Sequence, residues 1–355
     1  MARIPEDRLA KYRSLAEQGL FEVKHDGIRA FLKRGVAEGI DPFGVSTSSP
    51  ANTFFRAPYV RDMSALDIAL VGIPMDITAP LHSGTQLGPR ELRKWSQGYA
   101  AIHNVWKTCP FDMCNIGDVG DVPMEGYSIA LRVEQIRKFF DVFADQNVNT
   151  LTAGGEHTMT LPILWAMGKK EPLAIVHLDS HGDTTGSFGG DEYNDGVIFR
   201  RAAVEGVIDP ERTVQIGIHG RGSFLWDFSY DSGMRVITAE EFQDRGAADV
   251  MKEVRQIIGD GPTYLSVDSD CMDTSCMPGT TGPEPFGLTA REVRDIIRGL
   301  RGVDLVGADL VEINPFLDPS GASANVGAAI MLEMLCLLSE ARVKRTGKTR
   351  KTHWM

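Results

Sequence analysis

Short, nearly continuous apolar runs recur along the chain as LDIALVGIP, NTLTAGG, LAIVHLD, RTVQIGIHG, PTYLSVDSD and VDLVGADLVEI, the first beginning at Leu66. Runs of this length fit strands buried on both faces. Between them ALRVEQIRKFFDVFADQ, AADVMKEVRQIIG, TAREVRDIIRGL and GAAIMLEMLCLLSEA carry their apolar residues at helical intervals. Alternation of this kind specifies an α/β fold, a mostly parallel sheet with helices on both faces. Ligands of such sheets bind beyond the carboxyl ends of the strands. The residues that close each strand are therefore where chemistry is expected.

At 355 residues the chain is long enough for one large α/β domain or two smaller ones. We divide it into an N-terminal helical and irregular extension over 1–60, a main α/β domain over 61–342 and a basic tail over 343–355. The tail is expected to be solvated, with a subunit or nucleic-acid contact as the alternative. A formal charge of -11 argues against broad nucleic-acid binding and fits a cationic ligand. The five cysteines have irregular spacings and no CxxC pair, so neither a disulfide framework nor a zinc ribbon is indicated. No signal-peptide core and no run of ~18 apolar residues is present, so the expected location is the cytoplasm, with no membrane contact.

The strand ends are charged. LAIVHLD runs on into SHGD, placing Asp179, His181 and Asp183 at alternate positions, which point to one side wherever the chain stays extended. LSVDSD closes with Asp268 and Asp270 in the same spacing, and NTLTAGGEH ends at His157 after a glycine pair that permits a sharp turn. One such cluster is readily a capped turn. Three at the ends of one sheet gather four carboxylates and two imidazoles, which would repel strongly without cations and make a two-metal set. Oxygen donors with a minority of nitrogen favour Mn²⁺ while admitting Ni²⁺ or Zn²⁺. Two such ions would lower the pKa of a water held between them and supply a nucleophile at neutral pH.

These motifs resemble those of the ureohydrolase family, which includes arginases, agmatinases and guanidinobutyrases. GGEHTMTLP is similar to the family's GGDHS motif, HLDSHGD to DAHxD, and SVDSDCMDTSCMPGTTGPEPFGLT to a long, specific motif. The likeness spans roughly residues 66–340. It implies a three-layer α/β/α sandwich on an eight-stranded, mostly parallel sheet, with two divalent ions, Mn or Ni, per site. It also implies the ligand sets: His157, Asp179, Asp183 and Asp268 for one ion, Asp179, His181, Asp268 and Asp270 for the other. The resemblance gives Asp183 the transfer of a proton to the leaving amine and Glu284 the pairing with a substrate guanidinium, roles that suit an acid and an acceptor-only carboxylate. A trimer or hexamer, with a homologous second chain as a variant, is the assembly it implies.

Several positions depart from the family pattern. Where agmatinases carry a His-Gly-Thr stretch, this chain reads YNDGVIFRRA, with Asp195 at the histidine's place. Asn194 and Asp195 either form an Asn-Asp-Gly turn or add acceptors for a small, nitrogen-rich cation. The usual double glycine after the glutamate reads Phe286, Gly287, which should narrow or rigidify the pocket floor, and His82 and His219 stand where arginines are frequent. The change at Asp195 and the long N-terminal extension resemble the branch that includes guanidine and biguanide hydrolases, some of which prefer nickel. Guanidine or a biguanide such as dimethylbiguanide is thus the leading substrate, cleaved to urea and an amine or ammonia, and agmatine or guanidinobutyrate the alternative. A noncatalytic subunit of a hetero-oligomer is the rival of another class.

Trp226 and Phe224 offer an aromatic wall for a planar cation or plain loop packing. His177, inside an apolar strand, is either a partner of a ligand or a satisfied core histidine. Cys271 has no base placed for it and reads as packing. SGTQLGP lacks the lysine and hydroxyl of a phosphate loop.

Overall fold

The computed structural model describes residues 4–19, 22–26, 28–29, 32–33, 52–78, 82–99, 102–186, 192–222 and 226–348. Most of the irregular stretch before residue 52, Phe224 and residues 349–355 of the tail lie outside them. The strands are β1 (Ile68–Ile73), β2 (Ile116–Asp121), β3 (Asn149–Gly154), β4 (Leu173–Leu178), β5 (Ile208–Ile218), β6 (Arg235–Thr238), β7 (Thr263–Asp268) and β8 (Leu305–Val311). They form one sheet in the order β2-β1-β3-β8-β7-β4-β5-β6, and every pairing is parallel. The expected eight-stranded α/β architecture is present.

Alternation along each strand divides the interior. Ile68 and Leu70 of β1, with Ala174, Val176 and Leu178 of β4, enter one core, whereas Ala69, Val71 and Ile73, with Leu173 and Ile175, enter another. Both faces of the strands are buried, which is why they read as continuous apolar runs. After the N-terminal helix α1 (Glu6–Ala16) come α2 (Gly88–Ser96), α3 (Ile129–Gln146), α4 (Thr160–Met167), α5 (Ala247–Ile258), α6 (Ala290–Gly299) and α7 (Ala322–Thr346). Ile136, Phe140 and Phe143 of α3 pack with Leu161 and Leu164 of α4 on one side, and the apolar faces of α5, α6 and α7 cover the other.

Helix α7 is long and apolar enough to cross a membrane by length and composition, but 72% of its apolar window is buried inside the protein. It is the core helix of one layer. It runs to Thr346, into the segment expected as a tail, and Arg345 there bonds Asp304, Asn149 and the Leu305 carbonyl.

None of the five cysteines is in a disulfide, and only Cys276 is more than marginally accessible. Burial first, and the carboxylate of Asp67 second, push the Cys114 thiol up to about 12. Burial and Glu333 likewise raise Cys336. Thiolate is the reactive form. We therefore expect iodoacetamide at pH 8 to label Cys276 first in the native chain and all five once it is unfolded, a difference countable by mass spectrometry.

Candidate metal centre

The three strand ends converge. Beyond β3 the glycine pair brings the chain against Met75, and a Cβ on Gly155 would lie 1.9 Å from the Met75 carbonyl oxygen, so no larger residue fits there. This close approach turns His157 inward, and its backbone N–H is fixed by Glu312 Oε1 at 2.7 Å. The His157 ring is held from behind. Ser266 donates its single proton to Asp309 Oδ1 at 2.7 Å, so its oxygen accepts from His157 Nε2 at 2.9 Å. Tyr264 and Thr160 donate to the other oxygen of Asp309, both at 2.8 Å. With Nε2 carrying the ring proton, Nδ1 presents a bare lone pair.

That lone pair faces Asp183 Oδ2 at 2.9 Å, Asp179 Oδ2 at 3.3 Å and Asp268 Oδ2 at 3.4 Å, and it is buried without a hydrogen-bond partner. A nitrogen lone pair among three carboxylate oxygens is repulsive unless a proton or a metal ion lies between them. Alongside, His181 Nδ1 lies 3.1 Å from Asp270 Oδ2 and 3.5 Å from Asp179 Oδ1. Ligand atoms of His157, His177, Asp179 and Asp183 lie within 4.8 Å of one another, as do those of Asp179, His181 and Asp270. Asp179 belongs to both groups. The six expected ligands thus meet in one place, and the orphaned Nδ1 together with the donor set fits divalent cations.

Electrostatics carries the same message. Burial, then the charge of Asp179, raises Asp183 to about 7. Burial and its acidic neighbours also lift Asp268 and Asp270 above the ordinary carboxylate range. Burial works against the His157 and His181 cations, yet the surrounding carboxylates hold both well above the usual imidazole range. Asp179 is the exception. Its burial is outweighed by His177, His157 and His181, which keep it ionised far below the usual value.

His177 explains that exception. Gln215 donates to its Nδ1 at 3.1 Å, which leaves the proton on Nε2 to bond Asp179 Oδ2 at 2.7 Å. Of the two readings of this strand histidine, the structure gives the partner of a candidate ligand, of the kind that orients metal-binding groups. Asp183 adopts a positive φ of 49°, a conformation that persists in a non-glycine residue only where its surroundings enforce it.

Asp195 lies in a short turn that Asn194 caps by accepting from the Gly196 N–H at 3.0 Å, so the turn is formed. Asp195 is also tied to the segment that carries His157. Its Oδ1 accepts from the Thr158 N–H at 3.0 Å and the Thr158 hydroxyl at 2.6 Å, one residue from His157, and from Thr78 at 3.2 Å. Two further carboxylates stand next to it. Burial, then the charge of Asp195, raises Glu156 to about 8, and the same two causes raise Glu312. Glu156 Oε1 and Glu312 Oε2 are buried without a partner.

Glu284 is buried beside His181, its Oε1 3.8 Å from His181 Nε2, and it is paired with Arg221. Trp226 is buried, and a Cβ on Gly182, between His181 and Asp183, would lie 2.8 Å from the Trp226 ring. Trp226 therefore packs against the backbone that carries two of the candidate ligands. Phe286 corrects an expectation. Rather than narrowing the pocket floor it is 83% exposed at a φ of 72°, because Asp273 fixes its N–H at 2.6 Å and the positive φ throws the ring outward.

Sequence reasoning did not find Ser266, Asp309, Gln215, Glu312 or Arg221. For Ser266, Asp309 and Gln215 a signal existed, since each is a polar residue on an otherwise apolar strand. Arg221, on an irregular turn, had none.

The model of the arginase family matches residues 66–336. Among curated relatives, the guanidinopropionase of Pseudomonas aeruginosa is 42% identical over 295 residues, 82% of this chain and 93% of that protein. The mitochondrial agmatinase of Gallus gallus is 38% identical over 290 residues, 81% of this chain and 85% of that protein. Among solved structures, the proclavaminate amidino hydrolase of Streptomyces clavuligerus superposes with a TM-score of 0.80 at 30% identity, over 85% of this chain and 99% of that one. With the fold, the strand-end ligands and these relatives in agreement, the chain belongs to the arginase family.

Proposed function

We propose that this chain hydrolyses a C–N bond of a compact, nitrogen-rich guanidino cation, guanidine or a biguanide, to urea and an amine or ammonia. As an arginase-family protein it is a hydrolase of C–N bonds in linear amidines. The observation that carries the finer reading is the half-buried Asp195 beside Glu156 and Glu312, a third carboxylate next to the metal cluster. A long alkyl substrate with one guanidinium has no need of it. A small cation with N–H donors on every side does.

In this reading His157, Asp179, Asp183 and Asp268 hold one divalent ion and Asp179, His181, Asp268 and Asp270 the other, Mn²⁺ or Ni²⁺. When bound, such ions supply Lewis-acid chemistry and make water a nucleophile at neutral pH. The remaining work belongs to the protein. Glu284 accepts N–H bonds from the guanidinium and fixes its plane. Oxygen from water becomes bonded to the guanidinium carbon, one C–N bond breaks, and Asp183 passes the departing nitrogen a proton taken from that water. Asp195, with Asn194 shaping its turn, faces the far side of the cation. Trp226 supports the His181–Asp183 backbone rather than stacking on substrate.

A second reading, a guanidino acid such as guanidinopropionate or guanidinobutyrate, is favoured by the 42% and 40% identity to two P. aeruginosa enzymes named for those substrates. We further propose a reducing, cytoplasmic setting from five cysteines at irregular spacings with no disulfide among them, and a trimer or hexamer, alone or with a homologous chain. The deciding assay is urea release from guanidine, dimethylbiguanide, guanylurea, agmatine, guanidinobutyrate and guanidinopropionate after loading with Mn²⁺ or Ni²⁺. Asp195→Ala should lower kcat/KM on the compact substrates by about 10²-fold, the loss expected when a charged partner of a desolvated cation is removed. Wild-type turnover by that variant, or activity confined to the guanidino acids, would overturn the compact-cation reading.

A further inference from the structure

The carboxylate read as the seat of the substrate guanidinium already has a guanidinium on it. Arg221 Nε lies 3.0 Å from Glu284 Oε1 and 3.2 Å from Oε2, and the Arg221 backbone N–H reaches Oε1 at 3.4 Å. The two partners differ in setting. Glu284 is buried, whereas the Arg221 side chain is 79% exposed, an arm from solvent laid onto an interior anion. The turn that carries it packs on the metal cluster, since a Cβ on the preceding Gly220 would lie 2.7 Å from the His181 ring.

We propose that Arg221 is an internal competitor for the guanidinium subsite, a positioning residue that holds Glu284 until substrate exchanges one guanidinium for another. The inference rests on the reading that Glu284 receives the guanidinium, and adds to it that the receptor is occupied at rest. The physics is that of a tethered ligand. A group attached nearby competes at a high effective concentration whatever its intrinsic affinity. Because the arm is mostly solvated, the pair it makes is weak, holding the carboxylate closed over open by roughly two- to fivefold. Substrate binding then conserves the number of guanidinium–carboxylate pairs and releases Arg221 to water. Glu284 is never left as a bare buried anion in either state, which is the costly alternative for such a group.

The sign of the effect separates competition from support. Truncating a supporting residue weakens binding, whereas truncating a competitor strengthens it. The experiment is calorimetric titration of guanidinium chloride into the full chain, with metal removed by chelation so that no turnover intervenes, at millimolar concentrations far below those that unfold proteins. Arg221→Ala is expected to bind guanidinium roughly two- to fivefold more tightly than the natural chain. Arg221→Lys, whose ammonium keeps the charge but not the fork, should fall between them. An affinity unchanged or weakened in Arg221→Ala overturns the proposal. A parallel titration with 3-guanidinopropionate exposes the main alternative: weaker binding of that acid by Arg221→Ala, with guanidinium unaffected, would make Arg221 an anchor for a substrate carboxylate. Glu284→Gln controls for the underlying reading. It should weaken guanidinium binding by roughly tenfold or more in both the natural and the Arg221→Ala background, and undiminished binding would show that Glu284 is not the subsite, a failure distinct from that of the competitor.

Discussion

Chelation is expected to silence the chain and to lower its melting temperature by on the order of 10 °C, with both restored by Mn²⁺ or Ni²⁺ at about two ions per chain. The magnitude follows from linkage. An ion that binds only the folded state stabilises it by about 4 kcal/mol when free metal is a thousandfold above Kd. Two ions thus contribute roughly 8 kcal/mol, and each kcal/mol moves the midpoint of a large domain by ~2 °C. Asp268→Asn should reproduce the stripped state even with metal present, because Asp268 stands in both proposed ligand sets. Fewer than one tightly held ion after reloading would sink the metal assignment and revive a noncatalytic role.

The stripped chain should also show a pH dependence that the loaded chain lacks. Asp183 has a folded value of about 7, above its ordinary 3.8. A carboxyl raised in this way is best tolerated when protonated, so its contribution to stability is full below pH ~4 and is lost as pH rises through 7. His157 and His181, also raised, contribute stability that is full below the usual imidazole value and lost above it. Both effects have one sign between about pH 6.5 and 8, where the stripped chain should become less stable as pH rises. A flat or rising melting temperature over that interval would contradict the charge balance described above.

Glu284→Gln is the second large effect. The amide preserves shape but replaces an acceptor-only anion with a group that also donates and bears no charge. Removing one partner of a desolvated charge pair costs about 2–5 kcal/mol, so kcat/KM should fall by roughly 30- to 1000-fold or more. The effect should be similar for every guanidino substrate, because all share the group that Glu284 receives. Initial rates on the best substrate decide the matter, and a loss below threefold would move the guanidinium elsewhere.

The architecture and the gathering of the candidate ligands were largely legible because both are written in short-range pattern. Strands buried on two faces leave continuous apolar runs, and the ligands follow directly from where those runs stop. What was missed has identifiable causes. β2 reads IGDVGD, an edge strand whose charge is explained only by Arg93 of α2, which bonds Asp118 and Asp121 across a long sequence gap. β6 has four residues at the opposite edge, too few for a pattern. The supports of the cluster were hidden for another reason. Nothing in the segment around Asp309 says that its carboxylate meets Ser266, Tyr264 and Thr160, since those contacts exist only once β7, β8 and α4 are side by side. Phe286 failed differently, because a backbone angle set by Asp273 decided where its ring would go.

The strand order has a bearing on how the protein is made. His157 follows β3, while Asp179, His181 and Asp183 follow β4 and Asp268 and Asp270 close β7, and between β3 and β7 runs β8, the last in sequence of the described strands. Until residues 305–311 leave the ribosome, the sheet exists as two separate halves, β2-β1-β3 and β7-β4-β5-β6, each with an apolar edge exposed. The insertion of β8 joins them, sets Asp309 behind Ser266 and brings Glu312 to the His157 N–H in one movement. Synthesis therefore keeps His157 apart from the other candidate ligands until residues 305–311 have emerged, so an ion that needs both halves waits for β8.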